Sequence, residues 1–256
     1  MEDMNNLVEN LQKDVPVVTF GLDQEFDTDK IYMFLKRKEH RAGAPFQQEI
    51  LHKHPQLKGV ETLPDKEMEA KIKEYVEGVY QKDGGILEPL IPQVNNEWGK
   101  YAPIFFAEVG KLFKGLPWPP GLYRGLLSIS QPYPRYLDCK LFQIPISSRG
   151  DSWLKVTAHE MLHFIFYEYV RQRYTPQLPN TIEEEMNRLL SGKFSFPLWE
   201  LSEIFNGVML ISDRFGNGGY KTPSTYPDLV GHLETIKFTW EETNEDIDLF
   251  FSKLQV

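Results

Sequence analysis

The run Val156-Thr157-Ala158-His159-Glu160-Met161-Leu162-His163-Phe164-Ile165-Phe166 sets His-Glu-x-x-His inside an otherwise uncharged stretch. At 3.6 residues per turn, positions i and i+4 lie one above the other. Both imidazoles therefore leave the same helix face and can grip one zinc ion, with Glu160 projecting beside them. From Trp153 to Val170 the segment is apolar nearly all round, the pattern of a core helix. Two imidazoles and a carboxylate in such a core need partners, because an unpaired buried charge costs several kcal/mol. A zinc ion supplies one; a pair of hydrogen-bonded core histidines is the plainer alternative.

Composition narrows the function classes. The 256 residues are 41% hydrophobic and 13% aromatic, ample for a sizeable core without covalent staples. One cysteine, Cys139, excludes an internal disulfide and any Cys-rich metal module, so metal ligands must come from His and carboxylates. Cys139 itself reads as a small core residue. A net charge of -9 argues against nucleic acid as the main partner, since phosphate binding runs on Lys and Arg. The one basic cluster, Lys36-Arg37-Lys38 through His40-Arg41, is flanked by acid and reads as a solvated loop or helix end. Met1 to Asn6 has neither a basic nor an apolar leader pattern, and no window of about 18 apolar residues occurs. The expectation is a soluble cytoplasmic protein with no membrane partner.

Around the motif, helical spacing runs from Lys66 to Tyr80 and stops at Gly84-Gly85. A second helical stretch, Trp98 to Phe113, is closed by Gly115 and the prolines after it. Gly125 to Ser130 and Lys140 to Ile146 read as strands, and Pro145 demotes the second to a sheet edge. A turn at Ser147-Gly150 and a cap at Asp151 or Ser152 would then open the motif helix. An exposed edge just before the two histidines could hold an extended peptide as an added strand. Beyond the motif come an acidic helix from Thr181 to Leu190, a helix from Leu198 to about Ile211, and two helices between Pro227 and Leu254. The halves divide as 1–147, mixed α+β with the edge strand, and 148–256, helical with the zinc site, together forming one compact catalytic unit.

The motif and the helices after it resemble the zincin metallopeptidases. The longer metzincin pattern is absent, because Phe166 and Tyr169 stand where its glycine and histidine would be. What remains resembles the gluzincin, thermolysin-like branch, over residues 153 to 166 and more loosely to 211. The resemblance implies an α+β, zincin-like fold: a small mixed sheet, an edge strand before a buried His-Glu-x-x-His helix, and a mostly helical C-terminal half. It implies a third ligand from a glutamate on a following helix. Ser202-Glu203, with Asn206 one turn on, fits that helix best; Glu200, Glu183 and His232 remain alternatives. It also implies Zn2+ as cofactor, Glu160 as general base on a zinc-activated water, and a later His or Tyr, here His232 or Tyr226, as donor to the oxyanion. A peptide or protein substrate follows. The alternative is a catalytically silent zincin-like protein that binds a peptide or partner in the same groove.

Overall fold

A computed structural model describes residues 15–37, 42–130, 134–146 and 151–256. β1 (Val18–Gly21) leads into α1 (Gln24–Lys36), capped by the Asp23 carboxylate accepting from Phe26 N. α2 (Phe46–Lys53), α3 (Asp65–Leu87) and α4 (Leu90–Leu112) follow. Then come β2 (Tyr123–Ser128), β3 (Arg135–Tyr136) and β4 (Leu141–Pro145). The remainder is helical: α5 (Asp151–Tyr174), α6 (Glu183–Leu189), α7 (Leu198–Met209), the short α8 (Ser212–Phe215), α9 (Leu233–Glu242) and α10 (Ile247–Lys253). The architecture is α+β, with a small mixed sheet and a mostly helical C-terminal half. Among the described residues no helix is long and apolar enough to cross a membrane.

The sheet runs β1-β2-β4-β3, with β1, β2 and β4 parallel and β3 antiparallel to β4. All five residues of β4 are buried, as expected where both faces of a parallel strand are covered. The expectation of an edge strand here is overturned: β4 lies between β2 and β3, and Gln143 N donates outward to Pro134 O. The proline misled because of its phase. Residues that bond β2 are even-numbered, as in the bond from Ile146 N to Ser128 O, so Pro145 lacks only an N–H that would point away from β2.

Three further expectations need correction. α3 continues through Gly84 and Gly85, since a helix held by Met68, Ile72 and Val76 in the core tolerates about 1 kcal/mol per glycine. α4 starts at Leu90, a full two turns before Trp98, and ends at Leu112; beyond it the chain turns at Gly115, where φ is 74° and the N–H donates back to Gly110 O. Cys139 is exposed, in the turn between β3 and β4. Of the basic cluster, Lys36 pairs with Asp65 at 2.9 Å, and residues 38–41 lie outside the described residues, as does the 147–150 turn.

The main hydrophobic cluster draws residues from both ends of the chain, Phe20 to Leu254, around α5. Every position from Glu160 to Val170 is buried, which explains why the segment shows no polar stripe. Its first turn is pinned to the sheet by Trp153 Nε1 donating to Pro145 O at 2.9 Å. A second cluster joins α1, α2 and α3. Between the two sits Asp27, whose carboxylate accepts from Tyr80 Oη (2.8 Å), Ile129 N (3.1 Å), Gln143 Nε2 (3.0 Å) and Ser128 Oγ. That buried network ties α1 and α3 to β2 and β4 at the centre of the sheet.

One close approach is a sharp test of the packing. A Cβ on Gly218 would fall inside van der Waals contact of the Tyr101 ring, whose Oη donates to Phe215 O at 2.8 Å within the aromatic cluster of α4. Gly218→Ala is expected to lower stability by about 1–3 kcal/mol, the usual cost of overfilling a packed core. Urea unfolding measures it as a shifted midpoint at constant slope; an unchanged midpoint contradicts the contact.

Candidate metal centre

α5 sets His159 and His163 one turn apart, and α7 packs against it, bringing in Glu203. Every residue of α7 except Glu200 is buried, Glu203 among them, and Glu203 lines the cleft described below. His159 Nε2 lies 3.1 Å from His163 Nε2 and 3.2 Å from Glu203 Oε2, and His163 Nε2 lies 3.5 Å from Glu203 Oε1. Three ligand atoms on a tetrahedral ion with bonds near 2.0–2.2 Å stand about 3.3 Å apart; here the two rings meet different oxygens of Glu203, and one ligand atom from each residue lies within 4.8 Å of the others, close enough to share an ion. Among the described residues it is the one group of three His, Cys, Asp or Glu side chains close enough to share an ion.

The surrounding contacts hold the triangle rigid. Asn206 Nδ2 donates to His159 O at 3.0 Å, locking α7 to the turn that carries the first histidine. Tyr220 Oη sits 3.2 Å from His159 Nδ1, which fixes that ring with Nε2 facing the centre. Arg135, on the two-residue β3, donates from Nη1 to Glu203 Oε1 at 2.9 Å and places Nη2 3.4 Å from Glu183 Oε2. Glu203 thus presents Oε2 to His159 while Oε1 is held by the guanidinium.

The charges of the site are unequal in number. Three carboxyl groups, Glu160, Glu183 and Glu203, face one guanidinium. For Glu203, burial alone would raise the carboxyl, but the His163 ring, Arg135 and hydrogen bonds from both imidazoles overcome it and hold it well below the usual range. Burial works against a proton on His159, yet the Glu203 and Glu160 carboxylates outweigh it and raise the ring. Burial, with Arg135 nearby, pushes His163 down to about 3, so its ring is neutral at physiological pH. For Glu160 the compensation falls short: burial outweighs the nearby His159 and Arg135 and pushes it up to about 7, and its Oε2 is buried without a hydrogen-bond partner among the described residues. An added cation would relieve that misfit, and the donor set of two imidazoles and one carboxylate fits a divalent ion.

The centre lies on the floor of a cleft of about 1220 Å³. Its walls come from α1 and α2 on one side (Phe34, Phe46), β3 beneath, and α6 with the start of α7 on the other (Glu184, Trp199, Glu200). His159, Glu160 and Glu203 reach it, as do Tyr220 and Tyr226. Of the remaining residues singled out from sequence, Glu183 is engaged by Arg135, and Glu200 lies one turn before Glu203 on the cleft wall. Tyr226 packs on Trp199 with ring centroids 5.2 Å apart and the planes tilted by 53°. His232 is exposed at a 3-10 turn and packs on Phe196, outside the cleft lining. Sequence reading missed Arg135 and Tyr220. Neither sits in a periodic pattern, and each reaches the centre across more than 60 positions of chain. Comparison with protein families, with curated proteins and with solved structures yields no match for this chain.

Proposed function

We propose that the protein is a zinc-dependent peptidase of the zincin kind, with His159, His163 and Glu203 as ligands and Glu160 as general base. The observation that carries this reading is the convergence of two imidazoles and one carboxylate within 3.5 Å, beside a buried, unpaired carboxyl, on the floor of a cleft too large for most small ligands. Zinc suits a site of two nitrogens and one oxygen, and when bound it polarises water and a substrate carbonyl.

This chain's own residues do the rest. Glu160, with a carboxyl raised to about 7, is matched to accept a proton from the attacking water and return it to the leaving amine. Asn206 and Tyr220 keep the His159 ring in place, and Arg135 keeps Glu203 extended toward both imidazoles. Among the hydroxyls lining the cleft, Tyr220, which lies 3.2 Å from His159 Nδ1, and Tyr226 are our candidate donors to the developing oxyanion. His232, packed on Phe196, has no part in this reading.

A mixed peptide library incubated with zinc-loaded protein, and read by mass spectrometry, tests it. Cleavage is expected, lost on treatment with a strong chelator and regained on adding zinc. Fully loaded protein that leaves every peptide intact removes the peptidase reading.

A further inference from the structure

Resting on the peptidase reading, we propose that the cleft is a basin walled all round, which admits the free end of a peptide and excludes a chain laid across it, so that the peptidase is an exopeptidase. The wall is a closed circuit of contacts, each made by at least one residue that lines the cleft. Phe34 of α1 meets Phe46 of α2 with ring centroids 5.2 Å apart. The loop before α2 is joined to segment 224–228 by Asp228 N, which donates to Ala42 O at 3.2 Å. Gly43 allows this approach: its φ is 79°, and a Cβ there would lie 2.7 Å from Asp228 Oδ1 and 3.1 Å from Pro227 Cβ. Tyr226 then packs on Trp199 near the start of α7, and Trp199 N donates to Asn187 Oδ1 of α6 at 2.9 Å. From α6, Glu183 meets Arg135 of β3, and Tyr136 of β3 returns to α1 by an edge contact with Phe26, centroids 5.6 Å apart.

Depth and size decide what such a basin takes. The reacting groups lie at its floor, with His163 fully buried and Glu203 and Glu160 only 3% and 7% exposed. An extended chain resting on the rim would hold its carbonyls away from them. A volume of about 1220 Å³ is that of a sphere about 13 Å across. At about 3.3–3.6 Å per residue, roughly four residues of extended chain fill that span. The sheet points the same way independently. An extended substrate that runs through a cleft is commonly carried as an added strand on a sheet edge. Here β4, the strand before the motif helix, is enclosed between β2 and β3, and β3 is only two residues long. A chain end needs no such edge. Each bond broken consumes one water, whose OH joins the carbonyl carbon while its remaining proton goes to the leaving amine.

The test compares one peptide of about 20 residues, longer when extended than the basin is wide, in linear and backbone-cyclised form. Two further linear arms carry biotin at the amino or the carboxyl end, each capped with streptavidin. With zinc-loaded protein, mass spectrometry of the first products is expected to show about one to four residues released from one end. Streptavidin at that end stops release, streptavidin at the other does not, and the cyclic peptide stays intact. Opening of the cyclic peptide, or first cuts in the middle of the linear one, overturns the proposal. Binding is scored separately, by fluorescence anisotropy of labelled peptides on zinc-loaded Glu160→Gln protein. The linear peptide is expected to bind at least about 10-fold tighter than the cyclic one. Equal affinity for the two, including none for either, overturns the basin. Binding of the linear peptide alone, without cleavage by the unsubstituted protein, removes the peptidase reading and leaves the end-selective basin standing, whereas cleavage of the cyclic peptide does the reverse.

Discussion

Alanine at His163 is expected to yield a folded protein that no longer retains zinc through dialysis against a chelator, and glutamine at Glu203 is expected to do the same. Each residue supplies one of three atoms, and the loss of even an outer contact to a metal ligand costs about 10- to 100-fold in affinity, so the loss of a ligand itself must exceed that. The two variants differ in what they leave behind. His163 is held neutral, so its removal strands no charge. Glu203 is the counter-ion of Arg135; the amide at 203 keeps an acceptor for Nη1 but not its charge, leaving Glu183 to balance the guanidinium. Glu203→Gln should therefore also lower the stability of the metal-free protein, by up to the 3–5 kcal/mol associated with breaking a buried pair. Metal analysis and thermal melts with and without zinc read both effects. Unsubstituted protein should gain about 2.7 kcal/mol when free zinc is 100-fold above its Kd, and neither variant should gain. Because the His159 proton is favoured in the metal-free site and must leave for zinc to bind, affinity should weaken as pH falls. Undiminished zinc content in both variants places the ion elsewhere and removes the site.

How much of this centre could be read from sequence follows from how far each signal is local. The two histidines lie about one helical turn apart, and the apolar run around them announces a buried helix, so α5 and the pairing of its two imidazoles were legible to within a few residues. Glu203 was reached another way, through the resemblance, which implies a glutamate on a following helix and is met by Ser202-Glu203 with Asn206 one turn on; the fold brings that carboxylate to the two histidines. Asn206, expected to support a ligand, does so through the His159 carbonyl instead of a ring nitrogen. Arg135 was illegible because a two-residue strand has no period to detect, and its importance arises only when the fold folds β3 over β4 and beneath the centre. The position of Pro145 taught the opposite lesson: proline reports which N–H is dispensable, and an inner strand has dispensable N–H groups wherever its neighbour is only two residues long.

Glu160→Gln should lower kcat by about 10²- to 10⁴-fold on any peptide the protein cleaves, while zinc content and KM stay close to those of the unsubstituted protein. The amide has the carboxyl's shape and cannot take a proton, and Glu160 is not among the three ligand atoms, so the substitution isolates proton transfer from metal binding. The same change should act on stability with a sign that a merely structural residue would not give. The Glu160 carboxyl sits at about 7 in the folded protein, against 4.5 for an unperturbed glutamate, because burial penalises its charge. A folded-state value above the unfolded one means that folding is unhindered by this group below about 4.5 and is opposed increasingly as pH rises through about 7. Metal-free Glu160→Gln should therefore match the unsubstituted protein at pH 4.5 and exceed it above pH 7, by as much as about 3 kcal/mol. Urea unfolding at the two pH values measures the gap, and bound zinc should narrow it by favouring the charged carboxylate. A residue kept for packing would lose stability on substitution at both pH values; one kept for proton transfer is retained despite the stability it costs. An inactive variant that is also less stable at pH 8 would mean that Glu160 holds the fold together, and the hydrolytic role assigned to it would go.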